Sequence, residues 1–213
     1  MFAYDVDVNG RRGRTVLLQY GFLQNAFPQG VKGLVYQAIQ LLGPFSIVTY
    51  SPDYKAVASG FEEPTWVNFA QGLSGAVKGA DLGELVVLGD SWATPLWQIA
   101  SIDCKFVAFR VPRVGEHRRV LVDKYEAMAV RCGEPENFAK YKAAFPLLPE
   151  DPALAARIFR GAAKSGLYEG QDFGSNVVAV RGFHDDLFHP ASALEKVNSV
   201  DTVDEALRFF GLI

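Results

Sequence analysis

The sequence has few cysteines, few histidines and no strong excess of charge of either sign. Its two cysteines, Cys104 and Cys132, are too few for a disulfide framework and lie in no CxxC or histidine-rich motif. We therefore expect two reduced thiols and no bound metal. The 21 Lys and Arg residues are balanced by 24 Asp and Glu residues, so no basic surface for nucleic acid is expected. The arginine-rich segment 110–119 could meet an anion, but a solvated loop is the expectation.

The sequence also has no long hydrophobic run and no phosphate-binding loop. No stretch reaches the ~18 apolar residues that a membrane helix needs. The start, Met1-Phe-Ala-Tyr-Asp5, has an acid where a secretory signal carries basic residues, so we expect a cytoplasmic protein without a membrane partner. Gly72 and Gly75 follow no predicted strand and precede no Lys-Ser/Thr pair, so they predict no phosphate cradle, and we expect no cofactor.

Apolar residues are abundant, at 49% of the chain, and occur in short runs that alternate with amphipathic segments. Such runs predict buried parallel strands, and the segments between them predict helices. The predicted strands are 15–20, 45–50, 85–89, 105–111 and 176–181, with an edge hairpin formed by 6–10 and Arg14 that turns through Asn9-Gly10. The predicted helices are 31–42, 67–78, 94–101, 118–132, 135–144, 151–167, 191–197 and 202–210.

These elements predict one α/β domain over residues 1–213. We expect a mostly parallel sheet with helices on both faces. The stretch 114–172 carries no strand signal and is expected to be a helical cap inserted over one edge of the sheet.

One predicted strand runs straight into a serine, in Leu88-Gly89-Asp90-Ser91-Trp92-Ala93, and a predicted helix leaves it. A sharp strand-to-helix turn would lift the hydroxyl above the sheet and point the helix N-terminus at it. Gly89 and Ala93, two positions either side of the serine, leave room for this turn. Free N–H groups at the helix start can stabilise a developing oxyanion. The pattern predicts Ser91 as a nucleophile, although a serine that merely caps the helix fits the same residues.

These motifs resemble the α/β-hydrolase superfamily over roughly 15–111 and 176–212. Val-Leu-Leu-Gln-Tyr20-Gly21-Phe22 resembles the strand and oxyanion loop in which His-Gly precedes an aromatic residue, with Tyr20 in place of the histidine. The resemblance implies that the N–H groups of Phe22 and Trp92, beside Gly21, form an oxyanion hole. It also implies a serine hydrolase that cleaves a small, partly apolar ester or thioester.

The resemblance also implies a triad acid and a histidine base. It places the acid on Asp185, three residues after Gly182, with Asp186 as the neighbouring alternative. The superfamily has its histidine just before the last helix, but residues 198–204 contain none. The chain's histidines are His117, His184 and His189. We expect His189 to be the base because it shares a loop with both candidate acids.

The same residues resemble a second group, the GDSL-type hydrolases. Asp186-Leu-Phe-His189 resembles their Asp-x-x-His block, and Gly89-Asp90-Ser91 resembles their nucleophile block. In that family the Asp orients the His, which makes a Ser91–His189 pair oriented by Asp186 chemically sensible. However, 90 residues precede Ser91, whereas GDSL-type enzymes have their serine near the N-terminus.

Three functions stay open from the sequence. The first is hydrolysis of a small ester-like substrate, with Ser91 as nucleophile and His189 as base, backed by Asp185 or Asp186. The second is a non-catalytic protein of the same fold that has lost its histidine and binds a ligand or a protein. The third is an unrelated parallel-sheet protein that binds a nucleotide or sugar. The sequence leaves a homo-oligomer open.

Overall fold

The computed structural model describes residues 2–5, 13–43, 45–80, 82–110, 118–165, 176–181 and 198–213. Its strands are β1 (Phe2–Asp5), β2 (Arg14–Gln19), β3 (Ser46–Tyr50), β4 (Glu84–Asp90), β5 (Lys105–Phe109), β6 (Val177–Val180) and β7 (Asn198–Val200). Its helices are α1 (Gln29–Leu42), α2 (Tyr54–Gly60), α3 (Trp66–Lys78), α4 (Ala93–Ala100), α5 (Arg118–Arg131), α6 (Pro135–Ala144), α7 (Pro152–Lys164) and α8 (Val203–Phe209).

The strands form one sheet in the order β1-β3-β2-β4-β5-β6-β7. All neighbouring strands are parallel except β1, which pairs antiparallel with β3 at the edge. The chain moves from β2 outward to β3 and then returns past β2 to build the rest of the sheet from β4. The loops after β2 and β4 therefore meet at a topological switch point, where open α/β sheets bind their ligands.

Successive side chains of the central strands point to opposite faces of the sheet, and each face carries its own core. Leu17, Val87 and Ala108 belong to the core that α2, α3, α4, α5 and α7 cover. Val16 and Val86 belong to the core beneath α1 and α8. The predicted mostly parallel sheet with helices on both faces is confirmed.

In the described part of the connection from β5 to β6 there are three helices, α5 to α7, within the stretch predicted as a helical insertion. We call residues 118–165 the helical insertion. Tyr125 of α5 and Phe159 of α7 are buried in the same core as α3 and α4. The helical insertion therefore packs on the same side of the sheet as α4, the helix that follows β4. None of the helices in the described ranges is both long and apolar enough to cross a membrane.

Three elements differ from the expectation, and two lie outside the described residues. The four-residue β1, the seven-residue α2 and the three-residue β7 were not expected, because each is too short for a periodic apolar pattern. The predicted hairpin at 6–10 and the predicted helix at 191–197 lie outside the described residues. The last helix begins with a capping box, in which Thr202 and Glu205 side chains accept from each other's backbone N–H groups.

Candidate functional site

Ser91 is the first residue after β4, and its backbone bends sharply there. Its φ is 55°, in the left-handed region that non-glycine residues rarely adopt. Its N–H donates to the carbonyl of Phe109 on β5 at 2.9 Å, and its own carbonyl accepts from Thr94 N–H at 3.2 Å. Such a backbone costs about 1–3 kcal/mol and persists only where its surroundings fix it, often at a functional site. The strand-to-helix turn thus lies where the sequence predicts it.

The small residues around the turn are required by close packing. A Cβ atom placed on Gly89 would lie 2.2 Å from Phe106 Cζ and 3.1 Å from the Cβ of Ala93. The first distance is far inside the ~3.5–4.0 Å at which carbon atoms make contact. Glycine at this position therefore lets β5 and the first turn of α4 approach Ser91 together.

A tight turn follows β2, and we call residues Gly21–Gln24 the β2 turn. It is closed by a hydrogen bond from Gln24 N–H to the carbonyl of Gly21 at 3.0 Å. Leu23 has a φ of 59°, the sign that the third residue of a type II turn requires. Leu23 is also fully buried, so its strained backbone is enclosed by protein.

The β2 turn lies against the Ser91 turn, as the switch point requires. A Cβ atom placed on Gly21 would lie 3.8 Å from Ser91 Cβ and 3.3 Å from Asp90 Oδ2. The rings of Phe22 and Trp92 pack with centroids 5.2 Å apart. Within the described part of the chain, no acceptor bonds the backbone N–H of Phe22 or of Trp92. The structure therefore brings together four of the sequence-predicted site residues: Gly21, Phe22, Ser91 and Trp92.

A buried ion pair lies directly beneath this site. Asp90 is fully buried, and Arg110 Nε donates to its Oδ1 at 2.7 Å while Arg110 Nη2 donates to Oδ2. Arg110 follows β5 with a left-handed φ of 51°. Two parallel bonds fix a carboxylate more firmly than one. The expectation of a solvated loop is thus wrong for Arg110, which meets an anion of its own chain.

Trp92 lies at the centre of an aromatic cluster. It is only 2% exposed, and four aromatic rings pack around it with centroids 5.2–6.2 Å away. These rings belong to Phe22, Tyr54, Trp66 and Phe69. The ring of Phe22 in turn touches Tyr125 of the helical insertion, with centroids 5.6 Å apart. An aromatic core therefore lies behind the site, on the side of the helical insertion.

The predicted acid and base lie outside the described residues. This holds for Asp185, its alternative Asp186, and His189, as well as for His184 and His117. The connection from β7 to α8 is described, and its residues Asp201 and Thr202 include no histidine. Among the described residues, no cluster of three or more His, Cys, Asp and Glu side chains could hold a metal ion.

Sequence reasoning missed one residue that contacts the site, Tyr54. Its hydroxyl accepts a hydrogen bond from Leu23 N–H at 3.1 Å. Tyr54 is the first residue of α2, and the Asp53 side chain caps that helix by accepting from Ala56 N–H. An Asp directly before a short alanine-containing segment is the N-cap signal that could have revealed this helix.

A separate pocket of about 830 Å³ lies on the other face of the sheet. Leu18 and Tyr20 line it from the end of β2, and Lys32 and Tyr36 line it from α1. Its lining does not include Ser91, although Tyr20 directly precedes the β2 turn. The pocket is thus a neighbour of the site rather than part of it.

No protein-family model matches the sequence, and no curated protein matches it. Solved structures do match its fold. MenH from S. aureus is 9% identical, with a TM-score of 0.60 over 99% of this chain and 97% of that chain. MGS-M2, an alpha/beta hydrolase enzyme from a Medee basin deep-sea metagenome library, is 12% identical, with a TM-score of 0.54 over 99% and 93%. A carboxylesterase structure from Nitrososphaera gargenis is 11% identical, with a TM-score of 0.56 over 98% and 81%.

Proposed function

We propose, from the premise that this chain has the α/β-hydrolase fold, that it is a serine hydrolase acting on a small ester or thioester. One observation carries the proposal. Ser91 has a strained left-handed backbone at the end of β4, and the β2 turn lies beside it at the switch point of the sheet. A serine that only capped α4 would need no such strain, because an N-cap residue ordinarily has an extended backbone.

The proposed reaction has two stages. Ser91 Oγ attacks the carbonyl carbon, its proton passes to His189, and the backbone N–H groups of Phe22 and Trp92 stabilise the oxyanion. Collapse of the tetrahedral intermediate breaks the ester bond, and His189 gives the proton to the leaving alcohol or thiol. Water then hydrolyses the acyl-enzyme by the same route. Asp185, or its neighbour Asp186, orients the imidazole and stabilises its charged form.

The aromatic cluster around Trp92 supports a small, partly apolar substrate. The rings of Phe22 and Trp92 pack on each other beside Ser91, so the surroundings of the hydroxyl on this side are apolar. Apolar walls with a few placed polar groups are typical of small-molecule sites. The fold neighbours include a carboxylesterase, which agrees with an ester as the substrate class. The proposed chemistry needs no cofactor.

A second candidate function is a non-catalytic protein of this fold that binds a ligand or a partner protein. It is favoured by the described connection between β7 and α8, where the superfamily has its histidine and this chain has Asp201 and Thr202. If no other histidine serves Ser91, the hydroxyl stays protonated and is a poor nucleophile.

Turnover of p-nitrophenyl acetate and butyrate by purified protein separates the two functions. We expect Ser91→Ala to lower kcat by about 10³-fold or more, because the residues of a catalytic triad act together and the loss of one removes most of the rate enhancement. Ser101→Ala is the matched control, because Ser101 also has a left-handed φ, of 50°, but lies exposed at the far end of α4. His189→Asn should match Ser91→Ala, whereas His184→Asn should keep most activity. If the folded wild type shows no turnover, or if the Ser91→Ala variant is active, the proposed serine-hydrolase function is wrong.

A further inference from the structure

The β2 turn is held from the core side by a side-chain hydroxyl. Leu23 N–H donates to Tyr54 Oη at 3.1 Å, and Tyr54 is only 4% exposed. Burial raises the pKa of Tyr54, so its hydroxyl stays protonated across the pH range of ordinary assays. Its ring also packs on Phe22, with centroids 6.0 Å apart. Tyr54 thus contacts both central residues of the turn, one through its hydroxyl and the other through its ring.

The same turn is also bonded to the helical insertion. Leu147 N–H donates to the carbonyl of Leu23 at 3.1 Å. Gln24 Nε2 donates to the carbonyl of Ala144, the last residue of α6, at 2.8 Å. Together with the bond to Tyr54, these contacts use both backbone polar groups of Leu23. The segment between α6 and α7 is therefore bonded directly to the turn that lies beside Ser91.

These contacts bear on Phe22, because Phe22 and Leu23 are the two central residues of the β2 turn. The Phe22 N–H belongs to the peptide between Gly21 and Phe22, and it keeps its direction only while the whole turn keeps its conformation, which includes the left-handed φ of Leu23. A non-glycine residue holds such an angle only where surrounding contacts outweigh its cost of about 1–3 kcal/mol. Loss of a contact to Leu23 or Gln24 would let the turn relax and misdirect the N–H group.

We propose that Tyr54 and Gln24 are positioning residues for the oxyanion hole, and that Gln24 couples the position of the helical insertion to it. This inference rests on the proposed function of Ser91. Neither side chain is placed against the substrate. Tyr54 holds the turn from the core, and Gln24 ties it to the residue that ends α6. Displacement of the helical insertion would then disorganise the oxyanion hole.

The test measures kcat and KM for p-nitrophenyl butyrate together with the rate of labelling by a fluorophosphonate. Tyr54→Phe removes only the hydroxyl, and Gln24→Ala removes only the bond to α6. We expect each to lower kcat and the labelling rate by about 5- to 50-fold, less than the 10²–10³-fold loss of an oxyanion donor itself. KM should stay within about two-fold, since ground-state binding is not touched. Tyr36→Phe and Gln37→Ala, on the exposed face of α1, are the matched controls.

Two further variants separate positioning from simple loss of structure. Gln24→Lys keeps a donor of sufficient reach and should recover most of kcat, whereas Gln24→Glu lacks a donor and should resemble Gln24→Ala. If the wild type is active and both Tyr54→Phe and Gln24→Ala keep its kcat, the positioning inference is overturned while the proposed function stands. Equal loss in Gln24→Lys and Gln24→Glu would overturn the role of the donor. A wild type that neither turns over ester nor reacts with the probe would instead reject the proposed function.

Discussion

Substitution of Gly89 by alanine tests why the Ser91 turn needs a residue without a side chain. The added Cβ would lie 2.2 Å from Phe106 Cζ. Carbon contacts are ~3.5–4.0 Å, so the ring must retreat by more than ~1 Å. Phe106 is 1% exposed and packs on Trp97, so it has little free space. Overpacking of this kind costs about 1–3 kcal/mol, which lowers Tm by roughly 2–12 °C for a chain of this size.

Urea and thermal denaturation measure this effect, and a second substitution tests its cause. Phe106→Leu removes the ring atoms that clash, so the double variant should be more stable than Gly89→Ala alone, even though Phe106→Leu destabilises the wild type. Gly75→Ala is the control, because a Cβ there meets nothing within 4 Å and should stabilise α3 by about 0.5–1 kcal/mol. A Gly89→Ala protein within about 0.5 kcal/mol of wild type would refute the steric reasoning, as would a double variant without any gain.

Three other predictions follow from charged or titratable groups. Arg110→Met should destabilise the protein by about 3 kcal/mol in urea denaturation, because it leaves buried Asp90 without its cation; the double variant with Asp90→Asn should recover part of this loss. The pKa of Glu84 is lowered in the folded protein, mainly by the hydrogen bond from Lys105. The ionised carboxylate therefore stabilises the fold at a pH above its unfolded pKa near 4.5, and this stabilisation is lost as the pH falls through the lower folded pKa. The stability difference between wild type and Glu84→Gln should therefore shrink on acidification from about pH 7. Burial raises the pKa of Cys104 to about 12, so at about pH 8 a thiol reagent should react with the half-buried Cys104 more slowly in the native than in the unfolded protein; equal rates at Cys104, measured by peptide mapping, would contradict this.

The fold was predictable because its central strands are apolar on both faces. The run before Ser91, Leu85-Val-Val-Leu88, is buried throughout in β4, and the run at 105–109 is almost fully buried in β5. Such runs have few stable placements other than the middle of a parallel sheet with helices on both sides. The Ser91 turn was predictable for a related reason, since small residues on both sides of a serine permit the bend.

The contacts that hold the site were not predictable, because they join residues far apart in the chain. Tyr54 lies 31 residues from Leu23, and its ring and hydroxyl act through a helix too short to show a periodic pattern. Arg110 stands among other arginines, and only the sheet places it beside Asp90, since β4 and β5 are neighbours. Pairings of this kind depend on strand order, which local sequence does not contain.

The acid and base remain predictions. Asp185 and His189 lie outside the described residues, so their assignment depends on the resemblance of the loop that follows β6. The parallel alignment of β6 with β5 and β4 brings the carboxyl ends of all three strands to the same edge of the sheet. A loop that leaves β6 therefore starts on the same edge as Ser91.

The nucleophilic role of Ser91 is tested most directly by peptide mapping after reaction of the folded wild-type protein with a fluorophosphonate. The proposal predicts a single adduct, carried by the peptide that contains Ser91, and no adduct after heat unfolding or in Ser91→Ala. An unmodified Ser91 in folded protein, or an adduct on another serine, would contradict it.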